Sequence, residues 1–291
     1  MSAVLEELVA LLALEPLEVN LFRGQSQDLG WGRVYGGQVL GQALSAASQT
    51  VPPERKVHSL HGYFLRPGDA KHPIVYEVDP IRDGRSFTTR RVVAIQGGKA
   101  IFNMAASFQI AEPGLDHQEP MPEVPGPEGL LNEHQLAERV ADRIPASMRE
   151  QALAERPIEA RVVEPYNILK PSVRAPRRAI WFRANGSLPD DPALHRYLLA
   201  YASDSHFIGT SMMPHGRSWV QPHMQVASLD HAMYFHRPFR LDDWVLHVIE
   251  SPSASGARGM VRGLWYDRSG ALIASTAQEG LIRDRSLPRD E

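Results

Sequence analysis

Apolar residues recur at helical spacing in three places. Leu5, Leu8, Val9 and Leu12 predict a helix over residues 3–14, stopped by Pro16. Leu40, Ala43, Leu44 and Ala47 predict a second, opened by Gly36 and Gly37 and ended by Val51-Pro52-Pro53; its small residues on most sides mark it as buried. Leu194, Tyr197, Leu198 and Tyr201 repeat the stripe behind the cap Asp190-Asp191-Pro192. Alternating patterns predict strands over 57–66, 73–79, 85–96 and 100–110, separated by Pro67-Gly68-Asp69, Arg82-Asp83-Gly84 and Gln96-Gly97-Gly98-Lys99. A buried helix followed by hairpin-linked strands implies an antiparallel sheet wrapped around one helix.

The pattern occurs twice. Tyr63-Phe64-Leu65-Arg66-Pro67 has a twin at Tyr234-Phe235-His236-Arg237-Pro238, 171 positions on, at the end of an alternating run from Val226. At that offset Arg91 matches Arg262, Ala100 matches Ala271, Ala106 matches Ala277, and the apolar pattern agrees without a gap. The helices stand 154 apart, so the second copy carries an insertion within Ser203–Gln225. Residues 112–128, with five prolines, read as a linker, and 130–154 return to helical composition interrupted at Pro145. The expected organisation is an N-terminal unit (1–111), a connection (112–156) and a C-terminal unit (157–291).

Composition narrows the function. With 43% hydrophobic and 22% charged residues the chain is an ordinary globular protein, and a net charge of −3 gives no basic field for nucleic acid. The absence of cysteine excludes disulfides, a thiolate nucleophile and cysteine-ligated metal. Glu6 and Glu7 stand where a signal peptide carries positive charge, no stretch has the apolar length of a membrane span, and Leu287-Pro288-Arg289-Asp290-Glu291 is no peroxisomal address. The cytoplasm is the expected location.

Comparing the copies isolates the chemistry. Ser228 replaces Val57, Asp204 falls opposite Thr50, and Gln278 replaces Ser107, so a hydroxyl, a carboxylate and an amide distinguish the second copy. Such a set can hold a water, with Asp204 as base and the other two orienting it. Singly, each is more often a solvated or merely small residue. The G-x-G-x-x-x-G spacing at Gly30, Gly32 and Gly36 misses the dinucleotide fingerprint, and there is no nucleophile elbow, Walker loop or H-E-x-x-H. His58 and His61, three apart on a predicted strand, are expected on opposite faces and make a poor metal pair. No metal and no retained cofactor are expected.

Val34-Tyr35-Gly36-Gly37-Gln38, His58-Ser59-Leu60-His61, Phe64 to Asp69, Tyr201-Ala202-Ser203-Asp204, Asp230 to Pro238 and Ser255-Gly256-Ala257-Arg258-Gly259 resemble acyl-CoA thioesterase II over essentially the whole chain. The resemblance implies an α+β double hotdog, two long helices each wrapped by an antiparallel sheet, and hydrolysis of an acyl-CoA in which coenzyme A is part of the substrate. It implies Asp204, Ser228 and Gln278 as catalytic residues. By analogy with hotdog enzymes, the Gly37 and Gln38 amides polarise the thioester carbonyl. His58 is a further candidate near the site, and Arg66, Arg237, Arg258 and Arg262 are candidates for the CoA phosphates. The resemblance also implies a homo-oligomer such as a tetramer. Alternatives are an acyl-CoA-binding hotdog protein without catalysis and an enoyl-CoA hydratase of the same fold.

Overall fold

The computed structural model describes residues 1–287; the last four, most of the C-terminal stretch read above for a targeting signal, lie outside the described residues. Helix α1 (Ala3–Leu12) buries Leu5, Leu8 and Leu12, the predicted stripe. Strands β1 (Glu15–Glu18) and β2 (Leu21–Gly24) follow; β1 is exposed at every position and so carries no alternation for a sequence reading to detect. Helix α2 (Gly36–Ser48) is buried from Gly37 to Ala47. Strands β3 (Lys56–Phe64), β4 (Ile74–Asp83), β5 (Phe87–Gln96) and β6 (Lys99–Gln109) complete the first half.

Helices α3 (Glu133–Glu138) and α4 (Ala146–Leu153) lead to β7 (Ile158–Val162), β8 (Arg177–Ala184) and α5 (Pro192–Ser203). Asp191 caps α5 by accepting the Ala193 N–H, and Pro192 fills its first turn. A 3-10 segment, Ile208–His215, occupies the predicted insertion. Strands β9 (Met224–Ser228), β10 (Asp230–Phe235), β11 (Val245–Ser255), β12 (Arg258–Asp267) and β13 (Leu272–Asp284) close the chain. The run from Val226 is therefore broken at Leu229.

All strands join one antiparallel sheet in the order β1-β2-β4-β5-β6-β3-β10-β13-β12-β11-β8-β7, with β9 also paired to β13. The two halves meet at β3–β10, where Tyr63 pairs with Asp230 and Tyr234 with Ser59. These pairs interchange under the 171-residue offset, so a local twofold axis passes between His61 and Ala232, which also pair. Inside the sheet α2 packs on α5. A Cβ on Gly37 would lie 2.2 Å from the Tyr201 carbonyl oxygen and one on Gly41 would lie 3.1 Å from that of Tyr197, so glycine at these positions permits the close helix approach. This is the double hotdog.

One sequence expectation fails at the last hairpin. The first copy turns through Gly97-Gly98, with Gln96 opposite Lys99. The second turns through three residues, Arg268-Ser269-Gly270, closed by Asp267 N–H on the Ala271 carbonyl. Beyond this turn the true offset is 172. Leu65 and Arg66 donate to the Ile101 carbonyl, whereas His236 and Arg237 donate to that of Ile273. Ala100/Ala271 and Ala106/Ala277 are therefore not equivalent pairs, and the counterpart of Gln278 is Ala106, not Ser107. Because strand faces alternate, the slip changes the face: Ala106 and Gln278 both point inward and are buried, while Ser107 does not.

The proline-rich run lies along the second half. Trp181 Nε1 donates to the Pro125 carbonyl at 2.9 Å, and Gln118 accepts from Leu272 N while donating to the Gly270 carbonyl. Met121, Val124 and Leu130 cover a second apolar cluster of Trp181, Trp244, Leu246, Tyr266 and Leu272.

Candidate active site

Asp204 is the residue that ends α5, where a carboxylate opposes the helix dipole. It lies instead against the start of α2 from the other half: a Cβ on Gly36 would be 2.6 Å from Asp204 Oδ2. The positive end of α2 thus offsets the unfavourable end of α5. Ser228, at the end of β9, donates to Asp204 Oδ1 at 3.2 Å, and Gln278 Nε2 from the inner face of β13 donates to the same oxygen at 2.9 Å. Oδ1 is thereby held by two donors, and Oδ2 is left toward the helix end, where the first-turn N–H groups have no intrahelical acceptor. The three side chains isolated by comparing the copies come together, although Ser228 and Gln278 bind the carboxylate directly. Tyr35, preceding Gly36, donates its hydroxyl to the Tyr201 carbonyl at 3.0 Å; burial, then the nearby Asp204 charge, raise its pKa well above that of an ordinary tyrosine.

The remaining candidates are dispersed. Gln38 donates its N–H to the Tyr35 carbonyl, and its buried side chain binds the Gln25 carbonyl, the Gln27 N–H and Gln42. It fastens the segment before α2, so the open amides at the helix start are those of Gly36 and Gly37. His58 is not brought to Asp204. A register slip between Val57 and Ser59 turns it to the outer face, where Nε2 meets Ser107 Oγ at 2.8 Å and the ring packs edge-on against Phe87; burial lowers its pKa. The same slip puts His58 and His61 on one face rather than the opposite faces expected from strict alternation. Among the described residues no group of three His, Asp or Glu could hold a metal.

Arg66 and Arg237 donate to the Ala100 and Leu272 carbonyls and are corner-forming twins, with Arg237 also paired to Asp116. Arg262 pairs with Glu250 as Arg91 does with Asp79. Arg258 pairs with Glu279 at 2.9 Å and lines a cavity of about 860 Å³ with Met212, His215, Arg217 and Arg283. Asp204, Ser228 and Gln278 do not line that cavity. A smaller one, about 240 Å³, lined by Gln49, Val57, Asp191 and Ala193 among others, lies where the axis carries the Asp204 cluster, Val57 being the counterpart of Ser228.

A family model described as "Acyl-CoA thioesterase" matches residues 147–281, and one described as "Acyl-CoA thioesterase N-terminal domain" matches residues 26–109. Acyl-CoA thioesterase 2 of Haemophilus influenzae is 45% identical over 283 residues, covering 97% of this chain and 99% of that protein. The chain belongs to the acyl-CoA thioesterase family. Human acyl-coenzyme A thioesterase 8 is 42% identical over 94% of this chain and 87% of its own length. The crystal structure of an acyl-CoA thioesterase II from Mycobacterium marinum superposes with a TM-score of 0.78 at 42% identity, covering 95% of this chain and 98% of that one.

His231 lies in the same run as Ser228 and Asp230, in the copy that carries the polar side chains. It is fully buried on β10, with Nε2 2.9 Å from Ser203 Oγ, one residue before Asp204.

Proposed function

We propose that the chain hydrolyses fatty acyl-CoA to a free acid and coenzyme A, with Asp204 as general base. The observation that carries the reading is the meeting of the Asp204 carboxylate, fixed through Oδ1 by Ser228 and Gln278, with the start of α2 from the other half. In the proposed step a water gives one proton to Asp204 and its oxygen bonds to the thioester carbon. The carbonyl oxygen takes up the negative charge beside the Gly36 and Gly37 amides. Collapse of that intermediate breaks the C–S bond, and CoA leaves as the thiolate. Ser228 and Gln278 orient both the carboxylate and the water.

Arg258, with Arg217 and Arg283, gives the larger cavity a basic rim suited to CoA phosphates. On this reading Arg258→Ala raises KM for CoA thioesters and leaves kcat near its original value. Two exposed tyrosines on the sheet's outer face, Tyr63 and Tyr234, support assembly into a homo-oligomer across the seam.

The test is release of free thiol, followed with a thiol-reactive dye over a panel of acyl-CoA chain lengths. Binding without thiol release would make the chain an acyl-CoA-binding protein. Loss of enoyl absorbance without thiol release would make it a hydratase.

A further inference from the structure

The strand register pairs a second buried polar residue with Gln278. Ser228 stands opposite Gly280 and Ala232 opposite Ala277, so the β9–β10 run slips by one residue between them. The register on the β10 side continues to His231 opposite Gln278. The equivalent cross-strand pair in the first half is Leu60 with Ala106, both buried and apolar. The two positions have therefore diverged together, from an apolar pair in one half to a histidine–glutamine pair in the half that carries Asp204.

Hydrogen-bond accounting gives the pair a direction. Gln278 Nε2 is committed to Asp204 Oδ1, which leaves the Gln278 Oε1 acceptor buried and without a hydrogen-bond partner. His231 Nδ1 is likewise buried without a hydrogen-bond partner, while its Nε2 lies 2.9 Å from Ser203 Oγ, whose hydroxyl donates to the Ala200 carbonyl at 2.9 Å. A flipped Gln278 amide would set its oxygen against the carboxylate, so a donor at His231 Nδ1 satisfies both orphaned atoms, provided that the Ser203 hydroxyl turns its one proton from the Ala200 carbonyl to Nε2. Burial lowers the His231 pKa against the opposing pull of Asp204 and Asp230, and hydrogen bonding to Gln278 also acts on the ring. The net direction is downward, which favours the neutral ring with a single proton.

We propose that His231 is a positioning residue for the hydrolytic site. In the working site its Nδ1–H binds Gln278 Oε1, fixing the amide so that Nε2 faces Asp204, and the Ser203 hydroxyl turns from the Ala200 carbonyl to donate to Nε2 and so selects that tautomer. The chain of donors runs Ser203, His231, Gln278, Asp204. It rests on the reading of Asp204 and Gln278 as parts of the site.

The test combines kinetics with spectroscopy. Asn carries an amide donor near the position of Nδ1, Gln one near Nε2, and Leu neither. His231→Leu and His231→Gln are expected to lower kcat about 10- to 100-fold, the scale of one buried hydrogen bond lost beside a catalytic group, with KM nearly unchanged. His231→Asn should stay within about threefold of the wild type. In a Gln278→Ala background, His231→Leu should cause no further loss of kcat. An additive loss, or equal damage from Asn and Leu, would overturn the proposal. In parallel, ¹⁵N-labelled histidine NMR of the intact wild-type protein should show His231 neutral with the proton on Nδ1, and a proton on Nε2 would equally overturn it. If the wild type releases no thiol, the proposed function fails, and the tautomer still decides whether His231 holds Gln278.

Discussion

Gly36 and Asp204 lie so close that a single methyl group on the glycine would come within 2.6 Å of the carboxylate Oδ2. One residue belongs to the first half and the other to the second, so the contact ties the proposed base to the start of α2, the end proposed to receive the substrate's charge. At the next residue the crowding has another source, because a Cβ on Gly37 meets the Tyr201 backbone oxygen at 2.2 Å. Gly36→Ala should therefore lower kcat at least about tenfold by displacing the Asp204 side chain. Gly37→Ala must push the helices apart and should reduce stability by about 1–3 kcal/mol. Thiol release and denaturant melts of both variants separate the two effects; equal losses of stability would contradict the assignment.

Asp204→Asn keeps the shape of the side chain and an oxygen for Gln278 Nε2 while removing the proposed base. Turnover should fall by about 10²–10⁴ with the melting transition nearly unchanged. Thiol release at saturating acyl-CoA is the measurement, and near-normal turnover removes Asp204 from its role.

Ser228 donates to the Asp204 carboxylate at 3.2 Å, and on the proposed reading it orients rather than attacks. Ser228→Thr, which retains the hydroxyl, should keep most activity, whereas Ser228→Ala should lose about 10- to 100-fold in kcat. Hydroxylamine quenching should trap no acyl-enzyme from the wild type. A trapped species that disappears in Ser228→Ala would replace water attack with a covalent mechanism.

Buried histidines make stability depend on pH. Burial holds His247 well below the ordinary imidazole pKa, His231 and His195 are lowered for the same first reason, and His247 stacks on Trp265 at 3.8 Å. The unfolded chain takes up these protons near pH 6.5 and the folded chain does not, so the stabilisation is present above about pH 6.5 and is lost progressively as the pH falls. Denaturant midpoints at pH 7.5 and 5.5 should show this loss. His247→Phe, which keeps an aromatic ring on Trp265, should show a smaller one; an equal loss would mean that His247 does not contribute.

Much of this was legible before any coordinates. The three helical stripes, the strands and the Tyr-Phe-x-Arg-Pro corners follow from spacing alone, and the corners recur because Arg66 and Arg237 each donate to a carbonyl of the neighbouring strand. Comparing copies also picked out Asp204, Ser228 and Gln278. It mispaired Gln278 because one extra residue in a hairpin leaves the apolar alternation of either strand intact while exchanging which face is matched with which. His58 was misjudged for a related reason: a bulge turns two consecutive side chains the same way, and nothing in the local sequence announces it. Gln38 was credited with a free amide because a sequence does not reveal that the first turn of α2 closes onto the Tyr35 carbonyl.

The axis between His61 and Ala232 relates the Asp204 centre to the 240 Å³ hollow beside Val57. There the helix start is Pro192, which has no N–H to offer, and the Asp191 carboxylate already occupies the Ala193 amide. On the proposed reading, that mirror position lacks the helix-start amides as well as the polar side chains that the Asp204 centre uses. Active-site titration should accordingly count one turnover centre per polypeptide, a duplicated enzyme with a single surviving workplace.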